Sequence, residues 1–165
     1  MDVAPEITQR SAQPYAGISD WVTMEALGSV ADRIPQIFGW LAAHGIAPAG
    51  PPFFRYHVAD MERQLLVEVG VPVASPLAED DGDVHGGTLP AGRYAVMTHT
   101  GAPETLLGAT SDLLDWAKAR RLAWDVSQTD AGETWGCRME SYLTDPAQQP
   151  DTSKWRTELA FKLAD

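Results

Sequence analysis

Glu140 and Tyr142 form the pair in this chain with the clearest chemical use. They stand two positions apart, and in an extended strand residues i and i+2 project to one side. A carboxylate beside aromatic faces suits a cationic, lipophilic molecule. The charge attracts across a partly dry space, and each ring adds stacking or cation–π contact worth roughly 0.5–2 kcal/mol. The same carboxylate could instead pair with Arg138 or Arg55 at the surface, where such pairs contribute little. Glu68 and Glu158 hold matching places in two other strands. They are candidates for the flanks of the same site, and they read equally as the polar side of half-exposed strands.

Other chemistries lack their residues. His44, His57, His85 and His99 show no metal-ligand spacing, and no Cys-x-x-Cys is present, so no metal is expected. There is no Gly-Xaa-Ser-Xaa-Gly elbow, no phosphate loop and no Gly-x-Gly-x-x-Gly run, so no cofactor is expected either. Cys137 is the single cysteine; it precludes an internal disulfide, fits a reducing cytoplasm and reads as a core residue.

The formal net charge of −11 argues against direct nucleic-acid binding, which needs clustered Lys and Arg, and it is compatible with a cationic ligand. It reads equally as a solubilising surface, with Glu79, Asp80, Asp81 and Asp83 in one solvated stretch. Acidic Asp2 and Glu6 near the start, with no apolar run, do not make a signal peptide, and no window approaches the ~18 apolar residues of a membrane span. A cytoplasmic protein is expected. Of the 6 tryptophans, Trp40 and Trp116 fall within helical patterns and read as packing residues. Trp21, Trp124, Trp135 and Trp155 fall at strand or loop edges, where Trp21 and Trp135 are candidate ligand walls.

The elements that must position these groups follow from periodicity. The 165 residues suit one domain of class α+β. Two extended segments occupy residues 5–23, broken at Gln13 to Gly17. Ile34, Ile37, Phe38, Leu41 and Ala42 recur at helical spacing, with Asp32 as a possible cap, Pro35 in the first turn and Gly45 as the stop. Strands follow over Phe53–Ala59 and Leu65–Val71. Beyond an acidic linker at 75–83 the order repeats: strands at Val84–Thr88 and Arg93–Thr98, a helix from Pro103 with Leu106, Leu113 and Ala117 inward, then strands over Trp135–Leu143 and Trp155–Leu163. The reading is two similar ββαββ halves, about 1–74 and 84–165, with a ligand groove between them.

Aligning Phe53–Asp60 with Arg138–Asp145 assigns faces. Phe54, Tyr56 and Val58, with Met139, Ser141 and Leu143, are expected against the helices. Phe53, Arg55 and His57, with Arg138, Glu140 and Tyr142, are expected on the opposite face and would line the groove, flanked by Glu68 and Glu158.

Several stretches together resemble one family. Gly50-Pro-Pro-Phe-Phe-Arg-Tyr-His57, Val67-Glu-Val-Gly-Val-Pro-Val73, Leu89-Pro-Ala-Gly-Arg-Tyr-Ala95, Met139-Glu-Ser-Tyr-Leu-Thr-Asp-Pro146 and Trp155-Arg-Thr-Glu-Leu159 occur in the order and spacing of the gyrase-inhibitor-like (GyrI-like) small-molecule-binding domain. That domain is also the effector-binding part of AraC-type and MerR-type multidrug regulators. The resemblance implies two ββαββ-type halves around a ligand groove and a buried acidic residue that neutralises cationic lipophiles, a place that Glu140 matches. It also implies an alternative: some stand-alone members look like hydrolases that open cyclopropane rings of DNA-alkylating natural products. Glu140 would then be the general base, with Tyr94 or Tyr142 orienting the leaving oxygen. A protein-interaction inhibitor of gyrase is a third reading. No helix-turn-helix precedes the domain in this sequence, which departs from the regulator arrangement.

Overall fold

Strand β1 (Glu6–Arg10) turns into β2 (Gln13–Val22), and a helical segment follows as a short α1 (Leu27–Ala31) and a longer α2 (Ile34–Ala43). The hairpin β3 (Phe53–Ala59) and β4 (Leu65–Pro72) completes this stretch. The pattern resumes with β5 (His85–Leu89), β6 (Gly92–Thr100) and α3 (Leu106–Ala119). A small ribbon of β7 (Val126–Thr129) and β8 (Gly132–Trp135) precedes β9 (Arg138–Tyr142) and β10 (Arg156–Lys162). This computed structural model describes residues 4–60, 62–78, 80 and 82–164. Asp2, Met61, Glu79 and Asp81, which entered the reading of the termini, turn and linker, lie outside them.

Local sequence explains the helices. In α2, Ile37 and Leu41 lie one turn apart and are fully buried, while Pro35 sits in the first turn where an N–H is not needed. Gly45 adopts φ +67° and ends the helix. Asp32 does not cap α2: it closes α1, its N–H donating to Gly28 O, and Arg33 holds the cap position without a side-chain bond. Ala109, Leu113 and Ala117 form the buried stripe of α3. The expected strand over Trp135–Leu143 is interrupted. Gly136 donates its N–H to Asp125 O (2.8 Å), so β8 ends and β9 begins at Arg138.

The strands join one antiparallel sheet in the order β1-β6-β10-β9-β3-β4-β2-β5, with β7 and β8 attached beside β3. Two strands cross the expected boundary between halves. β1 pairs with β6, and β5 pairs with β2, so the first strand of each stretch is bonded into the sheet of the other. The seam is β3 against β9. α2 packs mainly over β4 and β2, and α3 over β6, on either side of the β3–β9 seam.

Register decides the faces. Across the seam Phe53 pairs with Ser141, Phe54 with Glu140 and Arg55 with Met139, and directly paired residues share a face. The face assignment made for the second half is therefore inverted. Arg138, Glu140 and Tyr142 lie on the helix side with Phe54 and Tyr56, whereas Met139 and Ser141 lie on the far side with Phe53 and Arg55. The far side is no open groove. The sheet curls, and Tyr15, Phe53, Leu89, Tyr94, Val96, Cys137, Met139 and Ala160 fill it as a second core. Cys137 is a core residue as expected, on this far side and not against the helices.

Candidate functional site

The helix side of the central seam holds the residues with ligand-binding chemistry. Flanking positions such as Val67 and Leu159 are fully buried, but Tyr56, Arg138, Glu140 and Tyr142 keep partial solvent access, since the helices pack mainly over β4, β2 and β6. Residues i and i+2 along β9 space Arg138, Glu140 and Tyr142 in a row, about 7 Å apart per step. Phe54 and Tyr56 form the parallel row on β3, with ring centroids 5.1 Å apart. The row ends at Tyr142, whose N–H donates to Pro52 O (2.9 Å). There a cleft of about 830 Å³ opens, lined by Ile34, Phe38, Pro52, Tyr142, Leu143 and Pro146 among others.

The electrostatics of this row are unusual for a surface carboxylate. Burial pushes the Glu140 carboxyl above its ordinary value of 4.5; the hydrogen bond from Tyr142 Oη to Glu140 Oε2 (3.3 Å) and the charge of Arg138 oppose that only in part. The phenols of Tyr56 and Tyr142 are raised too, first by burial and then by the Glu140 charge. Among the described residues, neither Arg138 nor Arg55 forms an ion pair with Glu140. Glu140 is thus a partly dry carboxylate walled by Phe54, Tyr56 and Tyr142, with no bonded cation.

Trp135 belongs to the same side, in a cluster with Trp124 and Phe161 (centroids 5.8 Å apart in each pair) beside Arg138. The remaining candidates do not join Glu140. Phe53, Arg55, His57, Glu68 and Glu158 face away from the helices. Phe53 is fully buried over Gly70. Glu158 pairs with Arg10 (2.8 Å). Tyr94 is buried, with its hydroxyl donating to Pro90 O (2.6 Å), which removes it from any role with Glu140. Trp21, at the end of β2, is 46% exposed beside neither group.

Glu68 is the centre of a separate network. Only 1% exposed, it accepts from Tyr15 Oη (2.5 Å) and lies 2.8 Å from His57 Nε2 and 2.9 Å from His85 Nε2. Arg55 donates onward to Tyr15 Oη (3.2 Å) and Gly136 O (2.9 Å). Burial, the largest single influence, favours the protonated acid, but the bonds from His57 and Tyr15 and the charges of both histidines together hold Glu68 below its ordinary value. The Glu68 carboxylate is fully satisfied, whereas Arg55 Nε is buried without a partner. Sequence reading missed Tyr15 and His85 here. The available signal was glycine: Gly17, Gly70 and Gly87 each leave room for Glu68, Phe53 or Tyr15 to lie over the strand. Among the described residues no cluster is suited to a metal ion.

Comparison with known proteins bears on this geometry. The model of the family described as GyrI-like small molecule binding domain matches residues 4–164. The chain belongs to this family. A search of curated proteins gave no match. Among solved structures, the GyrI-like chain is similar to the EcmrR C-terminal domain, with TM-score 0.77, 18% identity and 98% of each chain covered. It is also similar to EcmrR in a DNA complex (TM-score 0.75, 18% identity, 98% of this chain), of whose chain it spans 57%. SAV2435 bound to tetraphenylphosphonium gives TM-score 0.66 at 11% identity, covering 98% and 94% of the two chains. A hydrolase from Listeria innocua gives TM-score 0.67 at 13% identity, covering 97% and 91%. At these identities the likeness is one of fold. No helix among the described residues is long and apolar enough to cross a membrane.

Proposed function

We propose that this GyrI-like chain binds hydrophobic molecules carrying a cationic group, on the helix side of the β3–β9 seam where the cleft beside α2 opens, with Glu140 as the counter-charge. The observation that carries the reading is Glu140 itself: a half-buried carboxylate whose one hydrogen-bond partner among the described residues is Tyr142, a residue that lines the apolar cleft, with Phe54 and Tyr56 beside it. A lipophilic cation entering there replaces water at the carboxylate and stacks on the rings, two favourable terms that a polar surface site lacks. The binding of tetraphenylphosphonium by SAV2435, a protein of the same fold, supports this ligand class. The role that fits is sensing or sequestering drug-like molecules, in keeping with a net charge of −11 that disfavours direct contact with nucleic acid. Titrating the protein with tetraphenylphosphonium, followed by tryptophan fluorescence, tests the reading. Saturable binding is expected; none with this or other lipophilic cations would end it.

A hydrolytic reading has one observation in its favour. A carboxyl raised above 4.5 and touched by a phenol is closer to a working general base than an ordinary surface glutamate. Glu140 would take a proton from water as the oxygen attacks a strained ring carbon; the ring C–C bond at that carbon breaks, its electron pair passes to a conjugated carbonyl of the substrate, and the oxygen formed there takes a proton, while Tyr142 would hold the carboxylate and Tyr94 is out of reach on the far side. Incubation with a cyclopropane-bearing alkylator and mass spectrometry of the product distinguishes the two. Water addition lost in Glu140→Gln favours hydrolysis, and unchanged compound leaves the binding role.

A further inference from the structure

The helix side of β9 carries a second charge, two residues from Glu140, that binding a simple cation does not use. Arg138 stands next to Glu140 on β9, on the same side, and its guanidinium lies among rings: 4.8 Å from the centroid of Phe161, 5.0 Å from Trp135 and 5.5 Å from Tyr56. Ring faces hold a cation but accept its N–H groups only as weak hydrogen bonds. Among the described residues nothing accepts a hydrogen bond from Arg138 or forms an ion pair with it, and its Nε is buried without a partner. The indole Nε1 of Trp135, in the same aromatic cluster, is likewise buried without a partner. Buried donors are almost always satisfied, and a guanidinium offers 5 N–H groups in a planar fork shaped for a pair of oxygens.

We infer that Arg138 and Trp135 form an oxygen-accepting end of the ligand site, so that the preferred ligands are flat aromatic molecules bearing a carboxylate as well as a cationic centre. The two ends are ordered along β9: cationic centre toward Glu140 and Tyr142, carboxylate toward Arg138. A ligand with a cation alone leaves the Arg138 and Trp135 donors unmet and meets a like charge one strand step from Glu140. A zwitterion meets both ends with opposite charge. The inference rests on the cleft being the ligand site.

The test uses one rhodamine dye in two forms: the ethyl ester, which is a cation, and the free acid, which has the same rings plus a carboxylate. Each is titrated into the full chain and followed by dye fluorescence anisotropy. The wild-type protein is expected to bind the acid about tenfold more tightly than the ester, the scale of one charge-assisted bidentate contact. Arg138→Met, which keeps length and apolar bulk, is expected to bring that ratio to about one, and Trp135→Phe to reduce acid binding by about threefold. Equal or tighter binding of the ester by the wild-type protein overturns the inference, whether or not any variant folds. So does an unchanged acid-to-ester ratio in folded Arg138→Met. If neither form binds the wild-type protein, the cleft reading itself falls and this inference with it; if the ester binds and the acid does not, only the Arg138 assignment falls.

Discussion

Phe54 and Glu140 are directly paired across the seam where β3 meets β9. That one register relation places the carboxylate on the helix side of the sheet, between two apolar rows. It also separates Glu140 from Glu68, which pairs with Arg55 and Ser19 and faces the other way. The two glutamates then have opposite physical situations, one pushed toward its protonated form and the other held ionised.

Glu140 should reduce stability as it ionises. Its folded pKa is raised above 4.5, so the fold favours the protonated form. The stability tied to that proton is fully present below 4.5 and is lost as pH rises through the folded value. Glu140→Gln cannot ionise. Its melting temperature, relative to wild type, is expected to rise with pH above 4.5, and at neutral pH the variant is expected to be at least as stable. Thermal melts across a pH series check this, and a variant clearly less stable at neutral pH contradicts it.

Glu68 has the reverse sign. Its pKa is held below 4.5, so its contribution is present above 4.5 and lost as pH falls through the folded value. Glu68→Gln weakens the acceptor for Tyr15, His57 and His85 at a position only 1% exposed, and about 2–3 kcal/mol of stability should go with it. Urea unfolding at neutral pH measures the loss, and a loss under about 0.5 kcal/mol, the usual size for a surface site, would contradict the buried network.

Gly70 should not tolerate a methyl group. A Cβ there would stand 2.5 Å from Phe53 Cζ, and Phe53 is fully buried. Gly70→Ala is expected to cost about 2–3 kcal/mol by overpacking, read by the same urea experiment. A neutral effect would mean that Phe53 does not lie across Gly70.

Cation binding should follow the ionisation of Glu140. For a permanently charged ligand such as tetraphenylphosphonium, affinity is expected to rise with pH above 4.5 and then level off. The Tyr142 hydroxyl lowers the carboxyl pKa by bonding its charged form, so Tyr142→Phe should move the rise to higher pH. A profile that Tyr142→Phe leaves in place would show that the hydroxyl does not act on Glu140.

Much of this was legible in the residues. The spacing of Ile37 and Leu41 gave α2, the runs at Phe53 and Leu65 gave the central hairpin, and the succession of motifs gave the family. Glu140 with Tyr142 was legible because i and i+2 share a face in any register. What alternation does not state is which face. A shift of one residue in pairing turns a whole strand over, and aligning Phe54 with Met139 did that to β9. The usual guide, one polar side and one apolar side, fails here because the sheet curls and buries both: in β4, Leu65, Val67 and Val69 are buried, and so is Glu68. β7 had no signal, since all of its residues are exposed. The setting of Arg138 depends on Tyr56 and Phe161, each distant in the chain, and became visible only with the ladder.

The central claim is that Glu140, on the helix side, supplies the charge that binds the ligand, and that Glu68, on the far side, does not. Calorimetric titration of tetraphenylphosphonium into wild type, Glu140→Gln and Glu68→Gln at neutral pH tests it most directly. The account predicts binding at least about tenfold weaker in Glu140→Gln and within about threefold of wild type in folded Glu68→Gln. Unchanged affinity in Glu140→Gln, or a loss confined to Glu68→Gln, would contradict it.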